Sequence, residues 1–337
     1  EQKTKNHKTT KNYAALLYIH IALYCDFALS GFSRYTGPVP TKLTPKKIEK
    51  ILAAEGVRVL QKDIRALSLD ELKAAFRYTS KPGIVTAWVV KSLIWQAHVK
   101  IAAGEWPQVD GNLRSFWYSN VKSTISKIGA LDDAKDPYDV MLYAFVDFTE
   151  KYRLFRYADF GFTDENWENR RIGVKHPNII VFSEKAGFVR LMREVNKTYD
   201  CTTAALNGIS SVLSSEYMMA HIAEAGVDVP RTRFHVFGIV DYDPNGAIVA
   251  GAFCRQIKSQ GVKLLRYTDL VTPAIFSPEE LDLSKFSLPP KQRTKNRKWM
   301  ERTGGINGQP YGIEADAVPK ARLLSLLDKL LKPLLKT

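Results

Sequence analysis

The sequence predicts a protein of the α/β plus α class: a helical, winged-helix-like domain followed by a Rossmann-like domain on a parallel sheet. Three observations carry that expectation. Residues 178–183 and 234–240 are unbroken apolar runs rich in Val, Ile and Phe, as strands buried on both faces must be. Each run leads into a stretch of helical spacing, which a crossover between parallel strands requires. Upstream of residue 130 the apolar positions recur mostly at helical spacing.

Taken in order, residues 1–12 are polar and lysine-rich and are expected to be disordered. Residues 13–31 are apolar but broken by His20 and Asp26, with no stop-transfer pattern after them. A buried helix is expected there, not a membrane span. Helices are predicted from Pro45, from Leu69 and over 84–103, with Thr44 and Ser68 at N-cap positions. Asn112 is placed to cap a helix from Leu113 to Ile128, stopped by Gly129. Residues 147–176 are aromatic and charged without a clean period and suit a linker or short strands. From Pro177 the alternation is plain: strands over 178–183, 201–206, 234–240 and 263–271, with helices over 186–196, 215–224 and 246–259. The cationic run from Lys291 to Lys298 reads as a solvated loop, and an amphipathic helix is expected over 319–331. The domains are accordingly an N-terminal extension (1–60), a helical domain (61–155) and an α/β domain with a C-terminal extension (156–337).

The 337 residues are 45% hydrophobic and 25% charged, the composition of an ordinary folded protein. The charge balance departs from that norm. With 49 Lys+Arg against 35 Asp+Glu, the net charge of +14 points to a polyanionic partner. Cys25, Cys201 and Cys254 are too few and too scattered for a disulfide framework or a zinc cluster, so a reducing, cytoplasmic setting is expected. The six histidines are scattered and no Gly-x-Ser-x-Gly elbow occurs, which argues against Ser/His/Asp hydrolysis. No Walker A motif is present, so any ATPase function would come from another chain.

Two motifs carry chemistry. Glu184 follows the first apolar run, and Asp241-Tyr242-Asp243-Pro244-Asn245-Gly246 follows the second. Functional groups gather at the carboxyl ends of parallel strands, so Glu184, Asp241 and Asp243 should converge. Converging carboxylates need a cation among them, and a divalent metal is the simplest. An Asp-x-Asp pair by itself is weak, because solvated turn aspartates are common. The second motif is Arg114-Ser115-Phe116-Trp117-Tyr118. In a regular helix Arg114 and Tyr118 share a face, although an aromatic cluster on a buried helix would give the same pattern. An unperturbed phenol, with a pKa of about 10, is ~0.1% ionised at neutral pH, so a nucleophilic tyrosine needs activation.

These motifs together resemble the Toprim domain and, within that group, the A subunit of topoisomerase VI with its meiotic double-strand-break relatives. The matching residues are Glu184-Lys185 before an apolar helix, Gly208 after the second strand, Asp241-x-Asp243-Pro244-x-Gly246, and Arg114-x-x-Trp117-Tyr118. The resemblance spans residues 105–330 and is strongest in the Toprim core. It implies that Glu184, Asp241 and Asp243 bind Mg²⁺ and that Tyr118, helped by Arg114, attacks double-stranded DNA to leave a 5′-phosphotyrosyl link. A homodimer is implied, the tyrosine of one protomer working with the metal site of the other, together with a possible GHKL-type ATPase B subunit on a separate chain. The activity implied is that of a type II DNA topoisomerase, ATP-hydrolysing with its partner, or of a topoisomerase-like DNA-cleaving enzyme. Its location would be the cytoplasm or nucleoid of a prokaryote, or the nucleus of a eukaryote.

The chain also departs from the family. Trp117 stands where many members carry a second tyrosine or a phenylalanine, and the region before Gly104 matches no segment of the family. Its brevity resembles the short stand-alone members called Mini-A. Two other classes stay open: a Toprim nuclease that uses water, with Tyr118 only packing, and a non-catalytic DNA-binding subunit. In any of these, Arg293, Lys295 and Arg297 are natural phosphate contacts.

Overall fold

The computed structural model describes residues 43–76, 82–129, 137–164, 166–208 and 211–336. The polar segment 1–12 and the apolar stretch 13–31 lie outside the described residues. The described residues divide into two compact units, 43–164 and 166–336.

The first unit is built from α1 (Pro45–Ala54), α2 (Leu69–Phe76), α3 (Pro82–Ala102), α4 (Leu113–Phe116), α5 (Lys122–Lys127) and α6 (Pro137–Val146). Ser68 caps α2 in a reciprocal box with Glu71, whose N–H donates to Ser68 Oγ at 3.3 Å while its carboxylate accepts from Ser68 N at 2.8 Å. Asn112 caps α4 as expected, its Oδ1 accepting from Ser115 N at 2.9 Å. The continuous helix expected over 113–128 is interrupted. Trp117–Val121 form a π-turn, with Lys122 N donating to Trp117 O, and α5 follows. The wider turn keeps Phe116, Trp117, Val121 and Ile125 all buried and leaves Tyr118 and Ser119 outside. Ser119 Oγ donates to Ser115 O at 2.8 Å, supplying a donor where the regular ladder is disturbed.

The core of this unit is aromatic. Phe116 meets Phe145, Phe160 and Phe162 edge-on at 5.5, 5.7 and 5.8 Å. Those last two rings carry the unit to Asp164, past the expected end at 155. At the other end α1 belongs to this unit and not to an extension ending at 60. Glu55, just after α1, hydrogen-bonds Lys91 and Tyr152. Burial opposes its charge, but the bonds from Lys91 and Tyr152 outweigh that and lower its carboxyl to about 2. Buried Gln96 fixes the loop between α1 and α2, accepting from Ile64 N at 2.9 Å and donating to Leu60 O and Lys62 O at 3.0 and 2.9 Å. Among the described residues this unit contains helices and turns but no strand, so a wing is not among them.

The second unit is α/β, as expected. Its sheet runs β1 (Arg170–Arg171), β2 (His176–Ser183), β3 (Cys201–Ala205), β4 (Arg233–Ile239) and β5 (Leu264–Asp269) in the spatial order β1-β3-β2-β4-β5. β1 is antiparallel to β3, and the other pairs are parallel. The crossovers are α7 (Val189–Tyr199), α8 (Val212–Glu224) and α9 (Pro244–Ser259). Alternating strand residues serve two cores. Val181 and Ile239 pack with Leu191 of α7, whereas Phe182 and Val236 pack with Met218 of α8 and Phe253 of α9. Burial on both faces is why these strands are continuously apolar, and each fully buried side chain contributes about 1.5–3 kcal/mol.

Beyond the sheet lie α10 (Pro278–Ser284), β6 (Lys285–Ser287), α11 (Arg293–Thr303), β7 (Tyr311–Ile313) and α12 (Lys320–Leu331). β6 and β7 form an antiparallel pair, and Leu323 and Leu327 of α12 join the α7 side of the core. The cationic run expected as a loop is mostly the helix α11. Asn296 and Trp299, three apart, bury one side of it and hold it in place, while the lysines and arginines project outward. Among the described residues no helix is long and apolar enough to cross a membrane.

One buried base makes the first unit sensitive to acid. His98 lies in the aromatic core, 4.7 Å from the Phe155 ring, and burial lowers its imidazole to about 4 despite the charge of Asp159. An unfolded histidine takes up its proton near pH 6.5, so stability is lost as pH falls from about 6.5 toward 4. At pH 5 that loss amounts to about 2 kcal/mol. His98→Phe should remove this increment. Urea unfolding at pH 7.5 and pH 5 would then show a smaller pH dependence in the variant, and an unchanged one would rule out His98 as the source.

Candidate active site

The chain passes from β2 to β3 on one side of β2, then returns to β4 on the other, so β2 and β4 flank the topological switch point. Ligands of open α/β sheets bind at such a point, beyond the carboxyl ends of the strands. Ser183 pairs with Ile239 at the last register position, and Glu184 N donates to Ile239 O at 3.0 Å. Glu184 therefore leaves β2 directly beside the segment that carries the two aspartates. Asp241 N donates to Glu184 Oε2 at 3.4 Å.

Each residue of the Asp241-Tyr242-Asp243 run has its own anchor. Asp241 Oδ1 accepts from Ala315 N at 2.7 Å. Tyr242 exchanges backbone hydrogen bonds with Ile313 at 2.8 and 3.1 Å, sets its ring edge-on to Trp299 at 5.1 Å, and donates from its hydroxyl to Gly305 O at 3.2 Å. Asp243 is the N-cap of α9, its Oδ1 accepting from Gly246 N at 2.7 Å. Glycine is required at 246, since a Cβ there would lie 2.0 Å from Asp241 O.

The negative charges are felt. Burial first, then the charges of Asp241 and Asp243, raise the Glu184 carboxyl above its ordinary value. A cation does sit among the acids, and it is one the sequence reading did not assign. Lys185 Nζ lies 3.2 Å from Asp241 Oδ1, 3.5 Å from Glu314 Oε2 and 2.7 Å from Asp316 Oδ2. Burial works against the ammonium, but hydrogen bonds with Asp316 and Asp241 hold it above the ordinary lysine value. The structure thus brings Glu184 and Asp241 together and commits one oxygen of Asp243 to capping α9. Among the described residues no three His, Cys, Asp or Glu side chains are grouped to hold a metal ion. The donor set is nonetheless of the kind Mg²⁺ takes: hard carboxylate oxygens, with Glu184 and Asp241 adjacent and Asp243 beside them.

In the first unit Tyr118 stands 56% exposed in the π-turn, whereas its neighbours Phe116 and Trp117 are buried. The Arg114 guanidinium lies 4.9 Å over the ring of Tyr138. Lys122 Nζ lies beside Tyr118, 4.8 Å from its ring centre. In the second unit α11 stands next to the acidic turn. Lys295 hydrogen-bonds Asn245, and Arg293 and Arg297 are exposed.

Sequence reasoning missed the roles of Lys185, Glu314, Asp316 and Lys122. Lys185 was legible as a neighbour of Glu184, but Asp316 is 131 residues away along the chain and carries no local signal. No known family model matches the sequence, and no curated protein is similar to it.

The anchors separate two effects on stability. In the absence of divalent ions Glu184→Gln should stabilise the protein at pH 7, because it removes a half-buried charge opposed by Asp241 and Asp243. Asp243→Ala should destabilise it by about 1 kcal/mol through the lost cap, and Asp243→Asn should keep most of that. Thermal unfolding in EDTA checks both. Destabilisation by Glu184→Gln would contradict the repulsion argument.

Proposed function

We propose that this chain is a DNA-cleaving transesterase of the type IIB topoisomerase A-subunit kind, with a winged-helix-like tyrosine domain followed by a Toprim domain. The observation that carries the reading is the meeting of Glu184 and Asp241, with Asp243 beside them, at the β2–β4 switch point. The exposure of Tyr118 beside a lysine, in a chain of net charge +14, supports it.

In this mechanism the Tyr118 oxygen attacks a backbone phosphorus in line. The bond from phosphorus to the 3′ oxygen breaks, the phenolic proton passes to solvent, and the leaving oxygen takes up a proton as a 3′-hydroxyl. The protein keeps the 5′ end as a phosphotyrosyl ester. One phosphate diester replaces another, so the reverse reaction reseals the strand. Lys122, over the Tyr118 ring, adds positive charge where a phosphate would approach the phenol, and Arg293, Lys295 and Arg297 hold phosphates along the duplex. Mg²⁺ held by Glu184, Asp241 and Asp243 would supply positive charge at the reacting phosphate. The reading entails a homodimer on double-stranded DNA and, for coupling to ATP, a GHKL-type B subunit on a separate chain. The setting would be the cytoplasm or nucleoid of a prokaryote or a eukaryotic nucleus, with no membrane partner.

A second reading, a Toprim nuclease that activates water, is favoured by the engagement of the Arg114 guanidinium with the Tyr138 ring. Incubation with supercoiled plasmid and Mg²⁺, then denaturation, separates the two. Protein-linked 5′ ends that disappear in Tyr118→Phe are expected of the transesterase, and cleavage without linkage is the nuclease outcome. Adducts persisting in Tyr118→Phe would remove Tyr118 as the nucleophile.

The basic helix gives a separate test. Each phosphate contact contributes about 0.9 to the slope of log affinity against log salt. Changing Arg293, Lys295 and Arg297 together to Gln should flatten that slope by about 2–3 if all three touch phosphate, uniformly across DNA sequences. A slope equal to that of the wild type would place α11 off the DNA path.

A further inference from the structure

Lys185 occupies an unusual position. Its backbone is fixed at the end of β2, where Ser183 Oγ donates to Lys185 O at 3.1 Å and Gly208 N donates to Glu184 O at 3.1 Å. From there the side chain reaches to the turn after β7, contacting Asp241, Glu314 and Asp316 at once. Asp241 Oδ1 is held from two directions, by Lys185 Nζ at 3.2 Å and by Ala315 N at 2.7 Å. Glu184, Asp241, Asp243, Glu314 and Asp316 would otherwise leave this corner of the fold strongly anionic.

We propose that Lys185 is a positioning residue of the acidic site: its ammonium is a built-in counter-ion that holds Asp241 to the Glu314–Asp316 turn and gives way there when a divalent cation binds. This rests on the metal-site reading above. A divalent ion on Glu184 and Asp241 would share Asp241 with the ammonium and repel it. Asp316, already nearer to Nζ than Asp241 is, provides the place to which the ammonium retreats. The lysine therefore competes with the metal for Asp241, and Asp316 moderates that competition.

Calorimetric titration of the full chain with Mg²⁺ tests this. Lys185→Met keeps the length of the side chain and removes its charge. It should bind Mg²⁺ more tightly, on the order of tenfold, as removal of one screened unit charge near a divalent ion predicts. Asp316→Asn, a change at an exposed position, should weaken binding several-fold by returning the ammonium to Asp241. That weakening should vanish when both changes are combined, because Asp316 acts through Lys185. If the wild type binds Mg²⁺ but Lys185→Met binds it equally or less well, or if the two effects simply add, the role of Lys185 is overturned while the metal site stands. If Lys185→Met does not fold, an unchanged Mg²⁺ affinity in Asp316→Asn overturns it alone. Failure of the wild type to bind Mg²⁺ removes the metal site itself and this inference with it.

Discussion

The second unit depends on a two-bond splice between Tyr242 and Ile313, each donating its backbone N–H to the other's carbonyl. Through this isolated antiparallel bridge β7, of the small two-stranded sheet, is tied to the segment that follows β4. Successive residues on extended backbone point to opposite sides. Asp241 is thereby turned toward Lys185 and Ala315, while Tyr242 is turned toward Trp299 of α11. The acids, the lysine and the basic helix are organised around one short stretch of extended chain. The splice, the Ala315–Asp241 hydrogen bond and the burial of Ile313 and Ala315 together set Glu314 and Asp316 beside Lys185.

The charge distribution follows from the same arrangement. A chain with an excess of 14 positive charges gathers carboxylates at the switch point and sets cationic α11 against the adjoining turn through Lys295 and Asn245. A polyanion drawn to α11 would be brought beside acids that would repel it unless a cation intervenes.

What could be read from the sequence was whatever a single stretch of chain decides. The strands 178–183 and 234–240 were legible because burial on both faces forces an unbroken apolar run, and they form within the observed β2 and β4 to within a residue or two. Parallel pairing then places Glu184 and Asp241 at one end. The π-turn was not legible, because it is set by the packing of Phe116, Trp117 and Val121 rather than by local propensity, and neither was the contact of Arg114 with Tyr138. Helix α11 was read as a loop because eight consecutive residues offer almost no apolar signal. It is Trp299 against Tyr242, a tertiary contact, that secures it. Lys185 escaped for the same reason, since its partners come from distant parts of the sequence.

The first unit holds a second π-turn, Asp147–Lys151, and it shares a chemical detail with the one that presents Tyr118. Thr149 Oγ1 donates to Phe145 O at 2.9 Å, just as Ser119 Oγ donates to Ser115 O at 2.8 Å. Both hydroxyls sit at the third position of the wide turn and reach back four residues, each doing the work of an amide that the ladder has displaced. Oxygen thus substitutes for nitrogen at two comparable defects in one small helical body. The hydroxyl that follows Tyr118 in the chain accompanies the fault in the winding at which that aromatic side chain stands exposed.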